Sequence, residues 1–232
     1  MRIETTWAQQ ALRLVYPQVC LTCEANYVKT AYPVCVSCSA GMPLTNHCEL
    51  RENTFLQKFD GRLPLHGAAA LYHFRAKNKV QKLLHQIKYD NKPELAVATG
   101  RELGRRMRLT SWFERIDVVV PVPLHPRKLR RRGYNQSAAF ARGLAEALEV
   151  KHYPHALRRT IYTATQTRKD KFERLANVAP VFEARHPKRL IGKHVLLVDD
   201  VLTTGATLEA CALPILAVPG TTLSLASIAM AG

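Results

Sequence analysis

The sequence predicts an α/β protein, a parallel sheet flanked by helices, preceded by a small cysteine-rich module. Three observations carry that expectation. Short β-branched apolar runs at 116–122 and 195–198 alternate with segments whose apolar residues recur at helical spacing, the pattern of a parallel sheet with helical crossovers. Two Cys-x-x-Cys pairs, Cys20/Cys23 and Cys35/Cys38, lie 11 residues apart in a stretch without sustained periodicity. A hydrophobic fraction of 47% over 232 residues is ample for a large core.

Thr6 to Tyr16 reads as a short amphipathic helix carrying Trp7, Leu12, Leu14 and Val15, closed by Pro17. From Cys20 to about Gly61 the chain holds turn formers and no periodic apolar face, so the expected division is a cysteine module over 1–61 and an α/β domain over 62–232. Ala68 to Phe74 reads as a strand. Val80, Leu83, Leu84 and Ile87 then mark one face of a helix, with Lys79, Lys82, His85 and Lys88 mostly on another. A second helix is expected over 94–108, a buried strand over 116–122, a basic loop, and an alanine-rich helix over 137–148. Val195 to Val198 is the next strand, a helix starts near Ala206, and 222–229 is the last strand. Sheets of this kind bind ligands beyond the carboxyl ends of their strands.

No charge occurs from Ala210 to Gly232, a length that could cross a bilayer by counting alone. Pro214, Pro219 and Gly220, with Thr221, Thr222, Ser224 and Ser227, instead suit a helix, a turn and a strand, so no integral membrane span is expected. Charges throughout 1–30 argue against a signal peptide there, and the paired cysteines against a disulfide framework. A reducing, cytoplasmic setting is expected, with peripheral attachment at the inner face of the membrane left open. The formal charge of +16, from 34 Lys and Arg against 18 Asp and Glu, makes polyanions the natural partners. Such a field does not separate nucleic acid from a diphosphate-bearing metabolite.

Cys20, Cys23, Cys35 and Cys38 are four soft ligands at spacings that let two knuckles meet around one tetrahedral ion, and zinc is the metal expected. With four thiolates there is no open position, so the ion would be structural. Redox-active or plain buried thiols are the alternative, but neither pair opens a helix after a thioredoxin-like strand. Cys48, with His47 beside it, is a spare ligand at most. Cys211 reads as a buried residue of the last helix.

In Val195-Leu-Leu-Val-Asp199-Asp200-Val-Leu-Thr203-Thr204-Gly205-Ala206-Thr207 four apolar residues bury a strand and bring two adjacent carboxylates to its exit. Ionised carboxylates only accept, and such a pair suits two neighbouring hydroxyls of a ribose. The following loop has no charge. Thr203, Thr204 and Thr207 offer hydroxyls, Gly205 permits close backbone approach, and the helix from Ala206 points N–H groups at the loop, as a phosphate monoester requires. Together these describe a ribose 5-phosphate. An ordinary capped strand-to-helix turn accounts for each feature singly but not for the combination.

This stretch resembles the phosphoribosyl pyrophosphate (PRPP) motif of type I phosphoribosyltransferases. Three further segments narrow the resemblance to ComF-type competence proteins: Val119-Val-Pro-Val-Pro-Leu-His125 with Gly133-Tyr134-Asn135-Gln136, the stretch Gln166 to Asn177, and the cysteine module. The family commonly shows a second cysteine pair where this chain has only Cys48. The resemblance implies a type I phosphoribosyltransferase-like sheet, PRPP as ligand with Mg²⁺, and Asp199 and Asp200 as the residues on which transfer would depend. It also implies an anion site for the departing pyrophosphate at Pro121 and Val122, with Arg131 and Arg132, and at Arg168 in a second basic loop. Two functions remain open: a PRPP-binding phosphoribosyltransferase-like protein linked to DNA uptake (natural competence) or to nucleotide metabolism, or a non-catalytic component of the PRPP fold that binds single-stranded DNA. The acceptor of a transfer is not readable from the residues.

Overall fold

The computed structural model describes residues 20, 23, 25, 34–113, 115–160 and 181–232. The expected helix over 6–16 and the second basic loop, with Arg168, Lys169, Lys171 and Arg174, lie outside the described residues. Two short helices, α1 (Val36–Ala40) and α2 (Thr54–Gln57), precede strand β1 (Gly67–Phe74). Helices α3 (Lys79–Tyr89) and α4 (Pro93–Arg108) follow, then β2 (Val118–Pro121), α5 (Pro126–Arg132) and α6 (Gln136–Leu148). After β3 (Lys151–His152), β4 (Leu157–Arg159) and β5 (Phe182–Ala184) come β6 (His194–Leu202), α7 (Ala206–Leu216) and β7 (Thr222–Ala231).

Five strands form a parallel sheet in the order β1-β7-β6-β2-β3, and β4 and β5 pair antiparallel beside it. The strand alternation sorts β6 into two cores. Leu196 and Val198 join α3, α4 and α6 through Leu83, Leu103, Phe140 and Leu144; Val195 and Leu197 join α2 and α7 through Phe55, Leu208, Cys211 and Ile215. The uncharged segment from 210 onward resolves into α7, a turn at Gly220 and β7, and no described helix is long and apolar enough to cross a membrane.

Three local outcomes differ from the expectation. The basic loop after β2 is the helix α5: Pro126 stands in its first turn, the His125 ring accepts the Arg127 N–H at 3.1 Å, and Gly133 at φ +79° ends it. The antiparallel pair β4–β5, joined across 160–181, has strands too short to show a period. Most consequential, β6 does not end at Val198 but runs on to Leu202, because β7 continues to offer it ladder partners through Leu202↔Met230.

Residues 43–53 lie along the free edge of β1. Thr45 N–H donates to the Leu71 carbonyl at 3.0 Å, His73 N–H to the Pro43 carbonyl at 2.8 Å, and the Asn53 amide to the Ala68 carbonyl at 2.9 Å. That covers an edge that would otherwise be open to pairing. Phe55 and Phe59 are fully buried in the same core as Val120 and Leu225.

Helices α4 and α6 cross at backbone contact. A Cβ on Gly143 would overlap the Val97 carbonyl oxygen, and one on Gly100 the Phe140 carbonyl oxygen. Since neither backbone atom can rotate away, Gly143→Ala should destabilise the protein by about 1–3 kcal/mol, and by more if the helices separate. Denaturant unfolding measures this, and a midpoint equal to that of the parent protein would show that the helices do not meet so closely.

Candidate functional site

The continuation of β6 creates the site. On its β2 side the ladder ends with Val122 N–H donating to the Val198 carbonyl at 2.8 Å; on its β7 side pairing goes on through Asp199↔Ser227 to Leu202. Asp199 and Asp200 therefore stand inside the strand at the point where one neighbour has left, a crevice at the carboxyl end of the sheet.

Two adjacent carboxylates at such a place need donors, and the first turn of α6 supplies them. The Asn135 side chain caps α6 by accepting the Ser137 N–H at 3.0 Å, while its amide donates to the Val122 carbonyl at 2.9 Å. This fixes the start of α6 against the end of β2. The Ser137 hydroxyl then donates to Asp199 Oδ1 at 2.9 Å, and the Gln136 amide to Asp200 Oδ2 at 3.0 Å. Asp199 Oδ1 also accepts the Asp200 N–H at 2.8 Å. From α3, Lys88 Nζ pairs with Asp200 Oδ2 at 2.8 Å. The Tyr134 hydroxyl donates to the Ile87 carbonyl, tying the same stretch to the end of α3.

Among the described residues, Asp199 Oδ2 and Asp200 Oδ1 accept no hydrogen bond, and the buried Gln136 Oε1 is also without a partner. Three acceptors are thus gathered for donors from outside the chain. Burial, and then the neighbouring Asp200 charge, push the Asp199 carboxyl up to about 7.

The threonine loop adjoins the pair. A cavity of about 30 Å³ is lined by Asp199 and residues 201–208. Thr203, Thr204, Ala206 and Thr207 are exposed, and Gly205 is buried at φ +85° at the start of α7. A Cβ on Gly205 would come within 2.7 Å of the Phe59 ring, so only glycine fits both the backbone angle and the space. The first N–H groups of α7 face this loop without intrahelical acceptors. Lys58 Nζ donates to the Thr203 carbonyl at 3.2 Å and to the Ala231 carbonyl at 3.0 Å, which holds the loop to the end of β7.

At the end of β2, Pro121 and Val122 are buried, and the chain from Pro123 turns into α5. Arg127, Lys128, Arg130 and Arg131 are exposed, whereas Arg132 places its guanidinium 5.5 Å from the centre of the Tyr89 ring. The ends of α5 and α3 thereby meet.

Away from the crevice, the ligand atoms of Cys20, Cys23, Cys35 and Cys38 all lie within 4.8 Å of one another. Cys23 Sγ and Cys35 Sγ are 3.8 Å apart, and tetrahedral thiolates at a Zn–S distance of about 2.3 Å would stand about 3.8 Å apart. Cys35 N–H points to Cys20 Sγ at 3.3 Å and Cys38 N–H to Cys35 Sγ at 3.3 Å, which would steady thiolate charge. The donor set fits a metal such as zinc. Neither His47 nor Cys48 joins it. Both His47 ring nitrogens are engaged, Nε2 with the Thr54 hydroxyl at 3.1 Å and Nδ1 accepting the Ala70 N–H at 3.3 Å, and burial lowers its pKa to about 4.

The family model of the phosphoribosyl transferase domain matches residues 134–218, from Tyr134 through the acid pair to the turn after α7. Competence protein ComFC of Bacillus subtilis (strain 168) is 27% identical over 212 residues, covering 90% of this chain and 82% of its own. The chain is similar to the ComF-type competence proteins over most of its length. DNA utilization protein YhgH of Escherichia coli (strain K12) is 35% identical over 133 residues, 56% of this chain and 58% of that protein, so the match spans under two thirds of it. Among solved structures, a glutamine PRPP amidotransferase from B. subtilis complexed with ADP and GMP is 21% identical. It covers 62% of this chain and 30% of its own with a TM-score of 0.43, too low for any residue to be carried across.

In this chain the structure brings Asp199, Asp200 and the threonine loop together and sets Pro121 and Val122 at the neighbouring strand end. Arg131 lies on the outside of α5, and Arg168 is outside the described residues. Lys88, Ser137 and the contact of Gln136 with Asp200 were not anticipated, although Gln136 stands within a segment that carried the resemblance. Lys88 had only its place on the basic face of a helix as a signal, and nothing in sequence joins it to residue 200.

The raised Asp199 pKa has a sign. Its folded value lies above the unfolded value of about 3.9, so the folded state binds the proton more tightly and stability is lost as pH rises toward and through 7. Asp199→Asn keeps an acceptor for Ser137 and removes that loss. Its Tm should exceed the parent's at pH 8, by about 2–4 °C for each kcal/mol regained, with the difference shrinking as pH falls toward 4. A Tm difference independent of pH across thermal melts would disprove the shift.

Proposed function

We propose that the chain binds a ribose 5-phosphate ligand, PRPP with Mg²⁺, in a role linked to DNA uptake or DNA utilisation. The observation that carries the reading is the set of open acceptors on Asp199, Asp200 and Gln136 beside an uncharged threonine loop at a helix start. Neighbouring ribose hydroxyls would donate to the acids, and the 5-phosphate would lie against Thr203 to Thr207, held by hydroxyls and by the first N–H groups of α7.

The diphosphate would extend toward Pro121 and Val122, where backbone donors and the cations of α5 are near; Mg²⁺ would accompany it and neutralise part of its charge. If transfer takes place, a nucleophile attacks the ribose C1 as pyrophosphate departs, and the sugar gains positive charge. The chain would contribute position and electrostatics to that step. The names of its relatives, a competence protein and a DNA utilization protein, favour a DNA-linked role, non-catalytic or not. So does the exposed basic surface of α3 and α5, which meets at Tyr89 and Arg132 and offers charge and an aromatic face to single-stranded nucleic acid. A cytoplasmic location agrees with thiolates held for metal. Zinc is the ion we assign to the four cysteines, where it would stabilise a segment without a core of its own.

Calorimetric titration with Mg²⁺ and PRPP should give saturable binding that Asp200→Asn weakens about 10- to 100-fold, the loss of a hydrogen bond to a charged group. An oligonucleotide in the same cell should bind with an affinity that falls steeply with salt. Absence of PRPP binding at millimolar concentration sinks the ribose reading, and release of pyrophosphate on adding candidate amines or bases separates transferase from binder. For the metal, elemental analysis of purified protein should find one zinc per chain, lost in Cys35→Ser/Cys38→Ser; a well-folded sample without metal contradicts the assignment.

A further inference from the structure

Lys88 belongs to a helix whose other cations point outward. Lys79, Lys82 and His85 are exposed on α3, whereas Lys88 turns in at the helix end and meets Asp200, an acid with little surface in water. Its ammonium and the Gln136 amide converge on the same oxygen, Oδ2, at 2.8 and 3.0 Å. The place of Lys88 is fixed from a second direction, since the Ile87 carbonyl next to it accepts the Tyr134 hydroxyl.

We infer that Lys88 is the positioning residue of the acid pair: by clamping Asp200 Oδ2 together with Gln136, it fixes the carboxylate with Oδ1 left for a ligand hydroxyl and cancels one of two adjacent negative charges before a polyanionic ligand arrives. This rests on the ribose 5-phosphate reading of the site. A carboxylate held by a single neutral donor can rotate, and then presents either oxygen. Held at one oxygen by two donors, it presents the other. The charge matters equally, because PRPP carries negative charge at both ends and would otherwise approach an uncompensated buried pair.

The groups facing the pair are few. Asp199 and Asp200 stand on β6, Lys88 comes from α3, and Gln136 and Ser137 from α6 are uncharged. From α7 there is Cys211, which burial and the Asp199 charge keep in its neutral thiol form against the opposing charge of Arg159 on β4. Lys88 is thus the one cation in contact with the pair among the described residues.

Lys88→Met and Lys88→Arg test the assignment. In ligand-free protein, the ¹³Cγ resonance of Asp200 should titrate at least about one pH unit higher in Lys88→Met and return toward the parent value in Lys88→Arg. Lys88→Met should weaken ribose 5-phosphate and Mg²⁺-PRPP by similar factors, at least about tenfold each, with much of the loss recovered in Lys88→Arg. An Asp200 titration unmoved in Lys88→Met overturns the pairing. A loss confined to PRPP also overturns the role, because it would place Lys88 on the diphosphate and not on Asp200. If Lys88→Met does not fold, Lys88→Gln carries the same comparison. If the parent protein binds neither sugar phosphate, the ribose reading has failed, and the ligand-free titration still decides the pairing.

Discussion

Two carboxylates on consecutive residues, buried where a strand loses one of its neighbours, are the constraint around which the crevice is organised. Such a pair repels itself and loses hydration, and a protein retains it only by surrounding it with donors. The donors come from three places in the chain: the Asp200 N–H, the first two residues of α6, and Lys88 on α3. Even so, the compensation is partial. One oxygen of each acid stays open, and one carboxyl holds its proton far above the ordinary range. A structural ion pair would be closed more completely, whereas a site that receives hydroxyl donors has to keep acceptors in reserve.

Tyr134, Asn135 and Gln136 do the joining. Each reaches a different element: Tyr134 the end of α3, Asn135 the end of β2, and Gln136 the acid on β6. A short segment thereby fixes three strand and helix ends relative to one another, which is what binding a ligand at a sheet end requires. On the other side of the crevice, Phe59 against Gly205 and Lys58 on the Thr203 carbonyl seat the threonine loop. The segment holding Phe59 precedes β1, so the loop's position depends on residues that come long before it in the chain.

What the sequence made legible follows from range. The buried strands and the main helices were readable because their apolar periods are local, and the acid pair and threonine loop because they form one continuous stretch. The length of β6 was not, since polar residues end an apolar run on paper while the ladder continues as long as β7 offers partners. The helix α5 lacks an apolar face to reveal it, yet Pro126 and Gly133 at its ends were available signals. Lys88 and Ser137 were beyond reach because their partners lie on a strand far along the chain. The surroundings of His47 were hidden for a similar reason: its closeness to Cys48 in sequence says nothing of the two hydrogen bonds that occupy its ring.

Charge acquires a different meaning once the fold is known. The net +16 suggested a general attraction for polyanions, but on the two basic helices next to the crevice the cations differ: those on the outer faces of α3 and α5 stay in solvent, and Lys88 of α3 turns inward. The outer group can attract a nucleic acid or a diphosphate over distances of about a Debye length, without distinguishing them. On the proposed reading, discrimination comes from the crevice, where direction counts: acceptors on β6 would take hydroxyls, and the start of α7 a phosphate. A molecule that satisfies both must carry a phosphate beside a sugar with neighbouring free hydroxyls, which the interior of a DNA strand does not. The basic surface and the crevice are therefore suited to different ligands, and Lys88, next to Tyr89 at the end of α3, reaches from the first into the second.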